Sequence, residues 1–238
     1  MIDPAIRKAQ LKALKAFGQH SKSFALAGGT ALELFYLKHR FSRDLDFFSP
    51  KYSLTEIEEL VPKLSEAINA PFKLESEFIT SDRHAKVRFY TAKIKRTDTV
   101  IKIDFVEDVD IIAPKFKKFD GIPVYAIKDI YFQKILTLTG RQLTQDEIGR
   151  DKATGRQQTR DIVDIYYLSK NVEALHKFLK NLNRQHQRGV VQWYRSYSRQ
   201  DLKLEIPDLD LYDDKLDASE VIRYLDAETK KFISEVLE

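Results

Sequence analysis

Hydrophobic positions in the first half of the chain alternate between helical and strand spacing. Asp3-Pro4 suit a helix cap and first turn, and the apolar spacing behind them predicts a helix over 4–18 that ends at Gly18. A short apolar strand over 23–27, a Gly-Gly turn and a helix over 30–37 are expected next. Further elements are predicted in chain order: a strand over 44–48, a helix over 54–69, and strands over 72–75, 85–90 and 99–106.

From residue 126 onward the apolar spacing becomes helical. Helices are predicted over about 126–140, 158–169, 172–182 and 218–237. Residues 141–157 are polar and contain two glycines, so a loop is expected there. The expected fold class is α/β (α+β), with a mixed sheet flanked by helices in a core domain over 1–125 and a helical region over 126–238.

Composition narrows the functional classes only slightly. The 238 residues are 43% hydrophobic, which is enough for a core, and the absence of cysteine excludes disulfides, thiolate nucleophiles and Cys-ligated zinc. Because the chain has no apolar run of about 18 residues and no signal-peptide pattern, we expect a cytoplasmic protein without membrane association. A net charge of +4 permits a nucleic-acid or nucleotide partner. The five histidines lack metal-ligand spacing and are expected at surface or capping positions.

Candidate chemistry begins with paired carboxylates in a predicted strand. Asp44 and Asp46 stand two residues apart, so both point to one face of the strand. Lys102 and Asp104 have the same spacing in a later strand, which could add a third carboxylate. Three carboxylates suit Mg²⁺, and two such ions can clamp the oxygens of an in-line phosphoryl displacement. The simpler alternative is a solvated strand edge.

A glycine pair adds a second candidate feature. Gly28-Gly29 precede a predicted helix, where unobstructed backbone N–H groups can bind phosphate oxygens and Thr30 could donate a hydroxyl. Taken alone, the pair is more simply a tight turn. The order of glycine turn, helix and two carboxylate-bearing strands within the first 104 residues favours a nucleotide site.

This order of glycine turn, helix and carboxylate-bearing strands resembles that of a known family. LAGGTALELFYLKHRFSRDLDFF, residues 26–48, resembles the signature of the AbiEii/AbiGii nucleotidyltransferases, the abortive-infection toxin branch of the DNA polymerase β-like nucleotidyltransferase superfamily. The resemblance implies a nucleotidyltransferase fold in which Asp44 and Asp46 bind Mg²⁺, with two ions expected, and Asp104 is the third acidic position. It also implies that the nucleoside triphosphate (NTP) is held by the glycine turn, Gly28, Gly29 and Thr30.

Two later segments resemble the same family. DIYFQK, which ends at Lys134, resembles its third motif and implies that this lysine approaches the phosphates. RDIVDIY, which begins at Arg160, resembles its RDxxDxY motif and implies a role for Asp161 and Asp164 at the nucleotide. Helical spacing places these two aspartates on one face. Without the resemblance, an ordinary solvated face with an Arg160–Asp164 ion pair explains the segment.

Three further polar residues are candidates for contact with the triphosphate. Ser42 could hydrogen-bond a phosphate oxygen, with a turn serine as the alternative. Lys102 and Arg43 could neutralise phosphate charge beside Lys134.

The expected activity is Mg²⁺-dependent transfer of a nucleotide (NMP) from an NTP to an acceptor hydroxyl. By analogy with the family, the chain would be the toxin of a toxin–antitoxin or abortive phage infection system, with RNA such as tRNA, or a protein, as acceptor and a cognate antitoxin as partner. Basic residues between 141 and 160 could follow an RNA backbone: Arg141, Arg150, Lys152, Arg156 and Arg160. The acidic run 205–214 leaves a small-molecule acceptor open, and a non-catalytic nucleotide- or RNA-binding module is a third alternative.

Overall fold

A computed structural model gives the fold of most of the chain. It describes residues 3–78, 85–95, 97–141, 144–145, 147, 149, 151–156, 158–213 and 215–237. The chain divides into two compact units, Met1–Tyr36 with Phe41–Asp129 and Leu37–Arg40 with Ile130–Glu238. Whether 1–125 and 126–238 are separate domains stays a prediction.

The first unit is built on a mixed sheet, as predicted, and this sheet has seven strands. Its strands are β1 (Ala25–Ala27), β2 (Leu45–Ser49), β3 (Lys73–Phe78), β4 (Val87–Lys93), β5 (Val100–Glu107), β6 (Phe116–Phe119) and β7 (Ile122–Tyr125). The strand order is β3-β4-β5-β2-β1-β7-β6. The β2–β5 and β1–β7 pairs are parallel, and the other four pairs are antiparallel.

Three helical segments accompany this sheet: α1 (Pro4–His20), α2 (Gly28–Leu32), which continues into a π-helical turn (Glu33–Leu37), and α3 (Leu54–Ile68). Asp3 caps α1 as predicted, since its side chain accepts from two first-turn N–H groups. The predicted end at Gly18 is wrong by two residues. A Cβ at Gly18 would lie 3.1 Å from the Gly121 oxygen and from Ile122. Glycine at this position, inside α1, therefore allows the backbone at residues 121–122 to pack closely against the helix.

The apolar core residues of β2 lie on one face of the sheet. In β2 the buried residues alternate with half-buried ones, and Leu45 and Phe47 are fully buried. Phe17 of α1 stacks on Phe47 with ring centroids 3.9 Å apart. Burying each such aromatic ring stabilises the fold by about 1.5–3 kcal/mol. This packing fixes which face of β2 is left for polar side chains.

Strands β6 and β7 were missed by the sequence pattern. Pro123 lies within β7, and proline normally argues against a strand because it lacks a donor. Its neighbour Val124 is nevertheless fully buried and pairs with Leu26 of β1. Tertiary burial therefore outweighs the local propensity.

The second unit is mainly helical, as predicted. Its elements are α4 (Ile127–Thr139), the short strands β8 (Thr144–Gln145) and β9 (Asp151–Lys152), α5 (Thr159–Asn171), α6 (Leu175–Lys180), α7 (Arg184–Ser196), α8 (Arg199–Glu205), a 3-10 turn (Ile206–Asp208) and α9 (Ala218–Leu237). Helices α7 and α8 were not predicted, and β8 and β9 pair within the expected loop. None of the helices described is both long and apolar enough to cross a membrane.

Glu56 of α3 fixes the chain where it enters β1. Its carboxylate accepts hydrogen bonds from the backbone N–H groups of Lys22 and Ser23, at 2.7 and 3.0 Å, and from the Ser23 hydroxyl at 2.6 Å. Burial alone would raise the pKa of Glu56, but these hydrogen bonds outweigh burial and hold the pKa below its usual value.

Replacing this carboxylate should therefore destabilise the protein in a pH-dependent way. A group with a lowered pKa contributes stability above its unfolded pKa and loses it as the pH falls through the folded pKa. Glu56→Gln should lower the free energy of unfolding by about 1–2 kcal/mol at neutral pH. The difference from the wild type should shrink in urea titrations between pH 5 and pH 3. Glu59→Gln, which removes an exposed carboxylate of the same helix, is the control and should change little. An equal loss at every pH would contradict the assignment.

Candidate active site

Two of the predicted carboxylates are strand neighbours. Asp46 of β2 pairs in register with Asp104 of β5, and parallel neighbours in register share a face. Both side chains are half-buried, on the face opposite the core residues of their strands. Asp44 directly precedes β2 and is half-buried like Asp46, while Lys102 is exposed two residues before Asp104. The sheet thus places Asp46 and Asp104 side by side, whereas Asp44 lies just outside the strand that was predicted to begin with it.

Gly28 lies against the Asp46 carboxylate. Ala27 is the register partner of Asp46, and Gly28 follows it at the start of α2. The φ of Gly28 is +68°, and a Cβ there would lie 2.2 Å from Oδ2 of Asp46. Glycine is required on both grounds, because another residue would be strained and would displace the carboxylate.

Side chains of two helices hold the backbone that leads into β2. Nε2 of the buried Gln10 donates to the carbonyl oxygens of Ser42 and Arg43, at 2.8 and 2.9 Å. The Thr30 hydroxyl donates to the carbonyl oxygen of Asp44 at 2.5 Å. Since Thr30 is fully buried, its hydroxyl is used to position Asp44, and its expected contact with NTP stays a prediction.

Glu33 also holds the backbone that leads into β2, and it was not identified from the sequence as a site residue. It is 2% exposed in the π-helical turn, and Oε2 accepts from the N–H of Ser42 at 2.9 Å. Its other carboxylate oxygen pairs with Arg7. The only signal was a charged residue inside the apolar stretch TALELFYL. The buried Ser42 is therefore anchored through its backbone.

Whether these residues fit Mg²⁺ can be judged from donor type and register. Carboxylate oxygens are the ligands that Mg²⁺ prefers, and Asp46 and Asp104 share one face of adjacent strands. Across the described ranges, no three carboxylate or imidazole groups already form a cluster suited to a metal ion. Asp44, Asp46 and Asp104 all interact with other groups. The donors fit Mg²⁺ in kind and in register, and the metal itself stays a prediction.

The second predicted group, in the other unit, forms a buried ionic cluster. Nζ of Lys134 lies 2.7 Å from a carboxylate oxygen of Asp161 and 2.7 Å from one of Asp164. Both aspartates are fully buried on one face of α5, and Lys134 is 6% exposed. The alternative of a solvated face is wrong, because Asp164 is buried and Arg160 instead donates to Gln158.

Three more cationic or titratable side chains surround these aspartates. Arg40 donates to both oxygens of Asp164 at 2.7 Å, and Nε2 of His39 lies 2.7 Å from Oδ1. Arg156 donates to Asp161 at 3.0 Å. The expected surface position of His39 is wrong, since the residue is 2% exposed. Sequence reasoning missed Arg40, whose partner lies 124 residues away along the chain.

Pairing keeps this cluster charged. Burial alone would raise the pKa of Asp164, but Arg40, Lys134 and His39 outweigh burial and hold the pKa well below its usual value. Burial would lower the pKa of Lys134, and Asp161 and Asp164 together raise it. Buried charges persist when paired in this way. The cluster joins α4, α5 and the segment 37–40, and the expected contacts of Lys134, Asp161 and Asp164 with nucleotide stay predictions.

The two charged segments considered for acceptor binding are only partly described. Arg156 is engaged by Asp161 and Arg160 by Gln158, whereas Arg150 and the side chain of Lys152 lie outside the described residues. In the acidic run, Asp214 also lies outside them.

Breaking the buried cluster should destabilise the protein strongly. Asp164→Asn leaves Arg40 and Lys134 without a full counter-charge in a site that excludes water. We expect a loss of about 3–5 kcal/mol in the free energy of unfolding, measured in urea at neutral pH. Because the pKa of Asp164 is lowered, the loss should shrink as the pH falls. Asp226→Asn removes a carboxylate paired with Lys230 on α9 and should cost below about 1 kcal/mol. A similar effect of both substitutions would refute the special role of Asp164.

Solved structures share this fold. A protein from H. pylori provisionally named a nucleotidyltransferase aligns over 100% of this chain and 99% of its own, with a TM-score of 0.62 and 19% identity. JHP933 from Helicobacter pylori aligns over 99% and 96%, with a TM-score of 0.59 and 18% identity. MenT4, a nucleotidyltransferase toxin from Mycobacterium tuberculosis H37Rv, covers 97% and 84% at 16% identity, and its TM-score of 0.43 is too low to bear on the fold. No curated protein sequence matches significantly.

The family is established by the sequence match. A family model described as nucleotidyl transferase AbiEii toxin, type IV toxin–antitoxin system, matches residues 11–236 and so covers both units. The expected fold class and the resemblance are confirmed. With its mixed sheet and its paired carboxylates, the chain belongs to the AbiEii family of nucleotidyltransferase toxins.

Proposed function

We propose that this nucleotidyltransferase moves an NMP from an NTP to the hydroxyl of RNA, such as tRNA, or of a protein, with Mg²⁺ bound by Asp44, Asp46 and Asp104. The proposal rests chiefly on the register pairing of Asp46 with Asp104. In the reaction the acceptor oxygen bonds to the α-phosphorus, the bond to the β-phosphate oxygen breaks, and pyrophosphate leaves. Bound Mg²⁺ would neutralise triphosphate charge.

The chain's own residues have distinct tasks in this proposal. Asp104 accepts the proton of the acceptor hydroxyl, since its carboxylate is only half-buried and lies on the face opposite the core residues of β5. The backbone N–H groups of Gly28 and Gly29 hold phosphate oxygens, and the N-cap residue Ala27 offers no side chain that competes for them.

Lys102 is the lysine best placed for the triphosphate. Its side chain is exposed on the same face of β5 as Asp104. Lys134, in contrast, is buried between Asp161 and Asp164, and we assign it to the stability of its own unit.

Family membership supports the biological side of the proposal. A nucleotidyltransferase toxin must be restrained in its host, so we expect a cognate antitoxin that neutralises it. The net charge of +4 favours a polyanionic acceptor over a cationic one.

Removing either strand carboxylate should abolish transfer without unfolding the protein. Asp46→Asn and Asp104→Asn should each lower the rate at least about 100-fold, because positioning and charge neutralisation supply most of the acceleration. Purified chain is incubated with each α-³²P-labelled NTP, Mg²⁺ and total cellular RNA or protein, with and without EDTA. Asp98→Asn, an exposed turn carboxylate paired with Lys93, is the matched control and should keep full activity. Absence of label in RNA and protein would exclude both proposed acceptors, and label that survives EDTA would exclude the metal.

Gln10 should act as a positioning residue for Asp44. Gln10→Ala removes the donor to two backbone carbonyls and should lower kcat about tenfold or more, with a raised Mg²⁺ requirement and a nearly unchanged KM for NTP. A purely structural role would lower stability by about 1–3 kcal/mol without shifting the Mg²⁺ dependence. Gln19→Ala, at an exposed position of the same helix, is the control.

A further inference from the structure

A groove between α7 and α9 in the second unit has no part in the proposed chemistry. It has a volume of about 480 Å³. Its apolar floor includes Val191 of α7 and Ile233 and Val236 of α9. Val236 is 51% exposed, although apolar side chains gain free energy by leaving water. The groove is therefore an open surface with an apolar floor.

One rim of the groove is strongly basic. Arg184, Arg188 and Arg195 are exposed along α7, and no carboxylate residue lines the groove among the residues described. Within that part of the chain, the side chains of Arg184 and Arg195 make no hydrogen bond or ion pair. These two arginines lie eleven positions apart on the helix, which corresponds to about 16 Å, or three helical turns.

We propose that this groove binds an acidic amphipathic helix of a protein partner. The apolar face of such a helix would cover Val191, Ile233 and Val236, and carboxylates spaced about three turns apart would pair with Arg184 and Arg195. The charge of the rim and the apolar floor are both complementary to this occupant. Arginine pairs carboxylates bidentately, which adds orientation to the attraction.

The lining favours a peptide over RNA. Surfaces that bind single-stranded RNA combine positive charge with exposed aromatic rings on which bases stack. The single aromatic side chain that lines this groove, within the described residues, is Phe232, and it is 3% exposed. The floor thus offers aliphatic contacts and no stacking platform.

The test uses the full chain and a fluorescein-labelled synthetic helix of roughly 16 residues, with leucines on one face and glutamates flanking them. Fluorescence anisotropy gives its Kd at low and raised ionic strength. Arg184→Ala/Arg195→Ala should weaken binding at least about tenfold, and Ile233→Ser/Val236→Ser should do the same. Lys12→Ala/Lys15→Ala removes the same charge from exposed positions of α1 and should leave the Kd unchanged. Thermal unfolding verifies that each variant is folded.

Exchanging the charges of the two binding partners distinguishes a specific ion pair from a general loss of binding. Arg184→Glu/Arg195→Glu should reject the glutamate helix and bind the same helix with lysine at those positions. Equal binding by intact chain and arginine variants would overturn the proposal. Binding of bulk tRNA or poly-U that depends on these arginines, without peptide binding, would overturn it in favour of RNA. Self-association that depends on them would overturn it in favour of a second copy. Catalysis is not measured, so a negative result leaves the proposed transfer reaction untouched.

Discussion

The face assignment of β2 is the constraint on which the candidate active site depends. Phe47 must be buried against Phe17, and the two-residue period of the strand then commits Asp46 to the opposite face. A slip of one residue would bury the aspartates and expose the rings. Because β5 pairs with β2 in parallel register, Asp104 lies on the same face of the sheet as Asp46. Hydrophobic packing on one face of the sheet therefore determines where the carboxylates lie on the other face.

Alternation alone would not hold Asp44, which lies outside the strand. Its backbone carbonyl is held by Thr30, and the residues just before it are held by Gln10 and Glu33. Two carboxylates on one face repel each other, so a rigid backbone is needed to keep them together. Gly28 adds to this rigidity, because the Asp46 carboxylate occupies the space that a side chain would fill. Buried hydrogen bonds around the site therefore supply the preorganisation that the chemistry needs.

Local periodicity predicts those parts of the fold in which neighbouring residues decide the structure. The helix at 54–69, the strands at 85–90 and 99–106 and the paired carboxylates all followed from spacing. Strands β6 and β7 did not, because Pro123 and the lysines of β6 have poor strand propensity and only pairing with β1 makes β7 favourable. Helix α7 contains Gly189, which has poor helix propensity, and the buried Trp193 on the same helix shows that packing outweighs this local preference.

The same distinction between local and distant contacts explains why the environment of the charged residues of α5 could be predicted only in part. Spacing correctly placed Asp161 and Asp164 on one helix face, but it could not tell whether that face meets water or Arg40, which is more than 120 residues away. A helix face with two carboxylates has two solutions, solvation or burial with matching cations, and the sequence of α5 is compatible with both. Burial requires cations from elsewhere at the right distance, and Arg40 and Lys134 come from two separate segments. The paired charges of this buried cluster would therefore stabilise the second unit even if none of these side chains touched a nucleotide.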